Sequence, residues 1–322
     1  MITPGWPTKD QPYSSPFIVR QYSSLKNHDI DVDLFHFQGN QNPINYIKAW
    51  MQIKKILRNT NYDIIHAQWG HSALLTLSSK IPLIITYRGM DLEGIVKENG
   101  KYSFMGKLLI FLSKITSKYA QEIIVVSKSL GDKLSRKDYH IIPSGIDLCS
   151  FTPIDKLTAR KTLNLTLDKK IILFAASPNN ARKRYSLAKQ AVSILEKQID
   201  CELIVCSDVP HEKVATFMNA SDCLILTSLH EGSPNVIKEA LACNLPIVSV
   251  PVGDVVVRKQ QLTHFQICNP EPNELAKAIK LVLSNKSKNN SRDTILDLDE
   301  NILTQKLIQI YRKIVLENQI IK

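Results

Sequence analysis

Short apolar runs alternate along this chain with longer segments whose apolar residues recur at helical spacing. Runs at 30–37, 64–67, 83–87, 123–126 and 139–142 predict strands, and helical periodicity at 44–58 and 102–119 fills two of the gaps. Pro143, Gly145 and Pro153 then interrupt the pattern. A second series follows, with strands expected at 171–175, 201–206, 223–226, 247–250 and 266–268 and helices at 186–198, 235–242 and 273–283. Residues 284–293 are polar and predict a loop, and 302–316 predict a closing helix. Strands that are apolar throughout, rather than alternating, predict parallel sheets covered on both faces. The expectation is therefore an α/β protein of two Rossmann-like, doubly wound parallel-sheet domains facing a cleft, 1–152 and 153–301. A length of 322 residues also suits two cores better than one.

Composition narrows the class. An apolar content of 44% is that of an ordinary globular protein, and no apolar run reaches the ~18 residues that cross a bilayer. The opening M-I-T-P-G-W-P lacks the basic and apolar regions of a signal peptide. The six cysteines sit mostly in apolar contexts without zinc-site spacing, so they are expected to be reduced packing residues of a cytoplasmic protein. The net charge of +11 divides almost evenly, +6 over residues 1–150 and +5 over the remainder. Such a balance suits an anionic substrate or an anionic membrane surface. No nucleic-acid motif accompanies the charge, so no nucleic-acid partner is expected.

Residues 227–254 carry the chemistry: T-S-L-H-E-G-S-P-N-V-I-K-E-A-L-A-C-N-L-P-I-V-S-V-P-V-G-D. The pattern predicts strand, tight turn and helix start, where unpaired N–H groups and the positive dipole end receive an anion. Gly232 lets a ligand approach the backbone. Ser233 is the expected N-cap, and Pro234 suits the first helical position. The amides of Asn235 and Val236 would then face a phosphate. Glu231 before the helix and Glu239 inside it are placed to accept hydrogen bonds from two hydroxyl-bearing parts of one ligand. Ser177–Arg184, S-P-N-N-A-R-K-R, follows another strand and adds three cations, of which Arg182 and Lys183 are the favoured pair for a departing diphosphate.

This segment resembles the signature of glycosyltransferase family 4 (group 1) of the GT-B superfamily, roughly E-G-x-P-x-x-x-x-E-A-x-A-x-G-x-P-V-V. Asn244 stands where the family has glycine, and Asn tolerates the left-handed end of a helix. The resemblance implies a retaining transferase that moves a sugar from a nucleotide-diphosphate donor to the hydroxyl of a glycan or lipid-linked acceptor. It implies a setting in polysaccharide or glycolipid synthesis, at the inner face of the cytoplasmic membrane. It places Arg182, Lys183 and Glu231 at the reacting groups, and Gly232 to Val236 with Glu239 around the donor. It also implies that the last helix, within 302–322, crosses back onto the first domain. No D-x-D, G-x-G-x-x-G, P-loop or G-x-S-x-G motif is present, so neither a metal nor a further cofactor is expected. Three departures leave a non-catalytic nucleotide-sugar-binding or scaffold protein as the alternative, one of them Arg88 where the family has histidine. The first strand is a stub at Met1–Thr3, and only a short stretch separates Cys206 from Asp222, where the family has a further unit.

Three further features bear on the site. Thr86–Asp91, T-Y-R-G-M-D, resembles the family's T-x-H-G-x-D, with Arg88 in place of histidine. The resemblance places Arg88 near the transferred sugar as an electrostatic or positioning group, or it is simply the partner of Asp91 in a turn. His66 follows a strand in the same way, and either lines the cleft or is a packed, satisfied histidine. Gly145 in P-S-G-I-D is expected to supply a positive φ. Residues 101–119 form a basic, apolar helix with Lys107, Lys114 and Lys118 on one stripe. That helix is either a core element with a lysine-bearing outer edge or one that lies on an anionic membrane.

Overall fold

The computed structural model describes residues 1–39, 42–96, 101–259 and 262–320. Two compact units divide the chain. One comprises Met1–Val96, Lys101–Gly145 and the chain from Glu300 on, and the other spans Ile146–Asp299.

Among the described residues, the first unit holds six parallel strands: β1 Ile2–Thr3, β2 Phe35–His36, β3 Ile65–Gln68, β4 Leu83–Tyr87, β5 Glu122–Val125 and β6 His140–Ile141. Their order is β2-β1-β3-β4-β5-β6, so the two-residue β1 sits inside the sheet. Connections from β2 to β5 all step one way along the sheet. Right-handed crossovers then put helices Pro43–Asn59 and Phe104–Thr116 on one face, on either side of the short helix Gly70–Thr76 that both contact. The β1-to-β2 step runs the other way, which puts helix Pro16–Asn27 on the opposite face, packed against the C-terminal helix Glu300–Ile320. Tyr311 from that last helix bonds the buried His66, and Lys313 pairs with Glu122.

The second unit holds β7 Lys170–Phe174, β8 Cys201–Val205, β9 Cys223–Leu226, β10 Ile247–Ser249 and β11 Phe265–Ile267, all parallel, in the order β11-β10-β9-β7-β8. Its core joins Ile172, Phe174, Ile225 and Val248 from the sheet to Leu275 and Ile279 of helix Pro272–Ser284. The chain enters and leaves this unit side by side, with Ile146 bridged to Asp299. Both sheets are doubly wound, as the apolar runs predicted.

Packing qualifies one expectation and corrects another. Helix Phe104–Thr116 keeps Lys107 and Lys114 on its exposed side, but its fully buried positions are small rather than large and apolar. Its buried residues are Gly106, Ser113 and Thr116, while Phe104 and Phe111 are exposed. Small residues face inward because the helix lies close on Gly70: Thr116 donates to the Gly70 carbonyl, and a Cβ at Gly70 would meet Ser113 at 2.7 Å. Gly145 does not adopt a positive φ. A Cβ there would stand 2.7 Å from the Cα of Glu300, so glycine is required by the close approach of the C-terminal helix. Gly145→Ala is accordingly expected to lower unfolding free energy by about 1–3 kcal/mol, read by urea denaturation.

Candidate functional site

In the second unit the strand order reverses between β7 and β9. The chain leaves β7 toward β8 and leaves β9 toward β10, so the C-terminal ends of these two neighbours are the switch point where open parallel sheets bind ligands. Arg182 and Lys183 come from the loop after β7, and Glu231 from the loop after β9. Arg182 Nη1 lies 2.6 Å from Glu231 Oε2, and Lys183 Nζ lies 2.6 Å from Oε1. Each carboxylate oxygen thus has its own cation. Arg182 also donates to the His230 carbonyl at 2.9 Å.

The loops are tied along their length. Leu229 N–H donates to the Arg182 carbonyl and Thr227 Oγ1 to the Lys183 carbonyl, each at 2.8 Å. Arg184, with φ +51, turns its guanidinium to the carbonyls of Thr227 and Ser228. It is a strut between the loops, whereas Arg182 and Lys183 both reach the Glu231 carboxylate. Glu231 is buried, which by itself would raise its pKa, but Lys183 and Arg182 outweigh burial and lower it to about 2. Burial lowers the pKa of Lys183, opposed by Glu231.

The helix beside this triad has its predicted bounds, but Pro234 is not its first helical residue. Asn235–Ala242 is helical, Pro234 occupies the N-cap position, and no side chain caps it. Ser233 is not the cap, because its hydroxyl donates to Asp254 Oδ2 at 2.9 Å instead. The amides of Asn235 and Val236, at the open helix end, have no partner among the described residues. Asn235 Oδ1 is also buried with no hydrogen-bond partner. Gly232 lies under Gly253 (φ +56), where a Cβ would come within 2.7 Å of the Gly232 carbonyl oxygen. Asn244 ends the helix at φ +53, with the Leu245 N–H returning to the Ala240 carbonyl, as expected of that substitution.

Glu239, one turn inside the helix, is buried and faces His211, whose Nε2 lies 3.2 Å from Oε1. The His211 ring meets Phe151 edge-on at 5.0 Å. The sequence offered no motif for His211, and it assigned no role to Gly253 and Asp254 at the end of the 227–254 segment. The second unit therefore gathers Arg182, Lys183, Glu231, Gly232, Asn235, Val236 and Glu239 at one sheet edge.

The candidates Arg88, Asp91 and His66 belong to the first unit. Asp91 does not pair with the Arg88 side chain. Its carboxylate accepts the backbone N–H groups of Gly70, Arg88 and Gly89, and burial raises its pKa to about 6 against those bonds. The Arg88 guanidinium donates instead to Gln68, Ser144 and Gln21 and lies 5.0 Å from the Phe17 ring. Burial lowers its pKa to about 9, against the opposing charge of Asp91. His66 is buried, with Nδ1 2.6 Å from Tyr311 Oη and Nε2 2.7 Å from Thr86 Oγ1. Burial and then Arg88 hold it well below the ordinary histidine range. It is the packed, satisfied histidine and not an open cleft residue.

Comparison with known proteins assigns both units. Residues 2–149 match the model of Glycosyltransferase Family 4, and residues 188–285 match that of Glycosyl transferases group 1. The chain belongs to the group 1 family 4 glycosyltransferases. It is 29% identical over 241 residues to Bacillus subtilis TuaC, named for teichuronic acid biosynthesis, with 67% of this chain and 60% of that relative aligned. It is 25% identical to a Campylobacter jejuni N,N'-diacetylbacillosaminyl-diphospho-undecaprenol alpha-1,3-N-acetylgalactosaminyltransferase, over 90% of this chain and 88% of that one. Among solved structures, sucrose-phosphate synthase from Thermosynechococcus elongatus has a TM-score of 0.74 at 17% identity, covering 88% of this chain and 84% of that one. Anabaena HepE in complex with UDP-glucose has a TM-score of 0.62 at 16% identity, covering 91% and 88%. These likenesses identify the fold as GT-B.

The triad predicts a pH response. The folded pKa of Glu231, about 2, lies below the ordinary carboxylate value of about 4.3. Its ionised form therefore stabilises the fold above that value, and the contribution is lost as pH falls toward 2. Stability curves of the wild type should show this loss between about pH 4.5 and 2, and Glu231→Gln should lack that component.

Proposed function

We propose that this chain is a retaining glycosyltransferase that moves a sugar from a nucleotide-diphosphate donor to the hydroxyl of a glycan or lipid-linked acceptor. The reading rests on one observation: two cations and a buried carboxylate meet beside an uncapped helix start at the switch point of a parallel sheet. Two cations against one carboxylate leave a net positive charge for the diphosphate. Glu231 holds them in place before the donor arrives, so little reorganisation is needed at binding. As phosphate oxygens draw Arg182 and Lys183, Glu231 is freed to accept hydroxyls of the transferred sugar. The open amides of Asn235 and Val236 take phosphate oxygens. Glu239 exchanges His211 for the ribose hydroxyls.

In the reaction, the bond from the anomeric carbon to the departing phosphate oxygen breaks. A bond to the acceptor oxygen forms on the same face. The acceptor's proton passes to the departing phosphate, which itself acts as the base. Charge and position do most of the work. Because Arg182 and Lys183 supply the countercharge, metal-independent transfer is the reading for this step. Names of relatives that build teichuronic acid and extend an undecaprenol-linked sugar support a polysaccharide or lipid-linked glycan as the acceptor class.

Arg88 favours one second reading, a nucleotide-sugar-binding protein without turnover. An arginine held by three neutral partners replaces the family's histidine. Donor binding without transfer or hydrolysis across an acceptor panel would select it. For the transferase, Lys183→Ala and Glu239→Ala should each lower transfer or donor hydrolysis by at least about 100-fold. EDTA should leave the wild-type rate unchanged. Near wild-type rates in both variants would refute the assignments.

A further inference from the structure

An α-helix ends on four carbonyls that no later turn of the helix can meet. In helix Asn235–Ala242 these belong to Glu239, Ala240, Leu241 and Ala242. The following N–H groups of Cys243, Leu245 and Asn244 return to the first three, at 3.2, 2.9 and 3.0 Å. A distant segment completes the set. Ser291 Oγ donates to the Leu241 carbonyl at 3.2 Å, and Arg292 Nη1 donates to the Ala242 carbonyl at 2.9 Å. A cation here also complements the negative pole of the helix.

Arg292 reaches further than the helix end. Its Nη1 also donates to the Phe151 carbonyl, and its Nη2 to the Leu148 carbonyl at 2.6 Å. Phe151 is fully buried, and its ring is the one that His211 meets edge-on. His211 in turn holds Glu239 Oε1. One guanidinium thus bears on Glu239 from two sides. It fixes the backbone through the helix end, and the carboxylate through Phe151 and His211.

Asn244 secures the backbone of that arginine. Its Oδ1 accepts the Arg292 N–H at 2.8 Å and the Ser291 hydroxyl at 3.4 Å, and its carbonyl accepts from the Asn289 side chain at 2.8 Å. Glycine, the residue of the family pattern, would adopt φ +53 at least as easily. It has no side-chain oxygen for the bonds to Ser291 and Arg292. The asparagine therefore adds a tie that the turn itself does not need.

We propose that Asn244 and Arg292 are positioning residues for Glu239, and that their clamp sharpens selection for a nucleotide with an intact ribose. The inference rests on the reading of Glu239 as the carboxylate that takes the ribose hydroxyls. A carboxylate discriminates a hydroxyl best when it already stands where the hydroxyl arrives. His211 keeps it there until the donor displaces the imidazole, and the clamp keeps the helix and Phe151 in place throughout.

The test is calorimetric titration of the full chain with UDP, GDP and ADP and with the 2′-deoxy form of each. Wild type is expected to prefer the ribo form of the diphosphate it binds best by about tenfold or more, and Glu239→Ala to abolish that preference. Asn244→Gly should cut the preference to about threefold or less, with affinity for the 2′-deoxy form changed by less than about twofold. Asn244→Asp keeps an acceptor oxygen for the Arg292 N–H and should retain the preference. A glycine variant with the wild-type preference overturns the proposal, whatever its thermal midpoint, because the amide then serves stability alone. Equal weakening of ribo and 2′-deoxy forms overturns it as well, since that reports general loosening of the helix. Wild type that binds none of the diphosphates, or shows no ribose preference that Glu239→Ala removes, overturns the donor-site reading itself and this inference with it.

Discussion

The account depends on a buried carboxylate held between two cations. Glu231 cannot be ionised in its crevice unless positive charge meets it, because removing a carboxylate from water costs several kcal/mol. Arg182 and Lys183 meet that requirement from the neighbouring loop. The cations in turn must be delivered accurately, and the backbone ties from Leu229 to Arg182 and from Thr227 to Lys183 deliver them. Arg184 acts as a strut on two carbonyls, and Gly253 lets the next loop close on Gly232. Ser233, turned to Asp254, leaves the helix uncapped. These local choices all keep positive charge and open donors at one sheet edge.

The first unit follows a different economy. Its polar interior is nearly all neutral: Arg88 rests on two glutamines and a serine, and His66 on a tyrosine and a threonine. Asp91 spends its charge on three backbone N–H groups and so shapes the turn between β4 and the next helix. The C-terminal helix completes this interior through Tyr311. Its outer face is the opposite, with apolar and cationic side chains and no carboxylate on either exposed helix.

Much of the fold was legible because buried parallel strands are apolar on both faces. Leu83–Tyr87 and Cys223–Leu226 lie where continuous runs put them, and helix Asn235–Ala242 matches its predicted bounds. Helix Pro16–Asn27 was missed for a physical reason: its cap, Ser15, makes no side-chain bond, and the helix buries only Ile18, Ser24 and Leu25. The pairing of Arg182 and Lys183 with Glu231 joins loops far apart in sequence, each legible beforehand only as the turn that follows its own strand. His211 beside Glu239 carried no local signal, since nothing in its own segment announces a carboxylate. Gly145 was legible as a required glycine, yet the reason was a helix that arrives from the far end of the chain. Local chemistry was readable where a motif concentrates it, and unreadable where packing between distant segments sets the role.

The most direct test of the central claim is calorimetric titration of the full chain with a panel of nucleoside diphosphates and the parent nucleosides. The account predicts saturable binding of at least one diphosphate, with much weaker binding of its nucleoside. It also predicts loss of that preference in the Arg182→Ala, Lys183→Ala double variant. Diphosphate and nucleoside binding equally well, or a double variant that retains the wild-type preference, would contradict it.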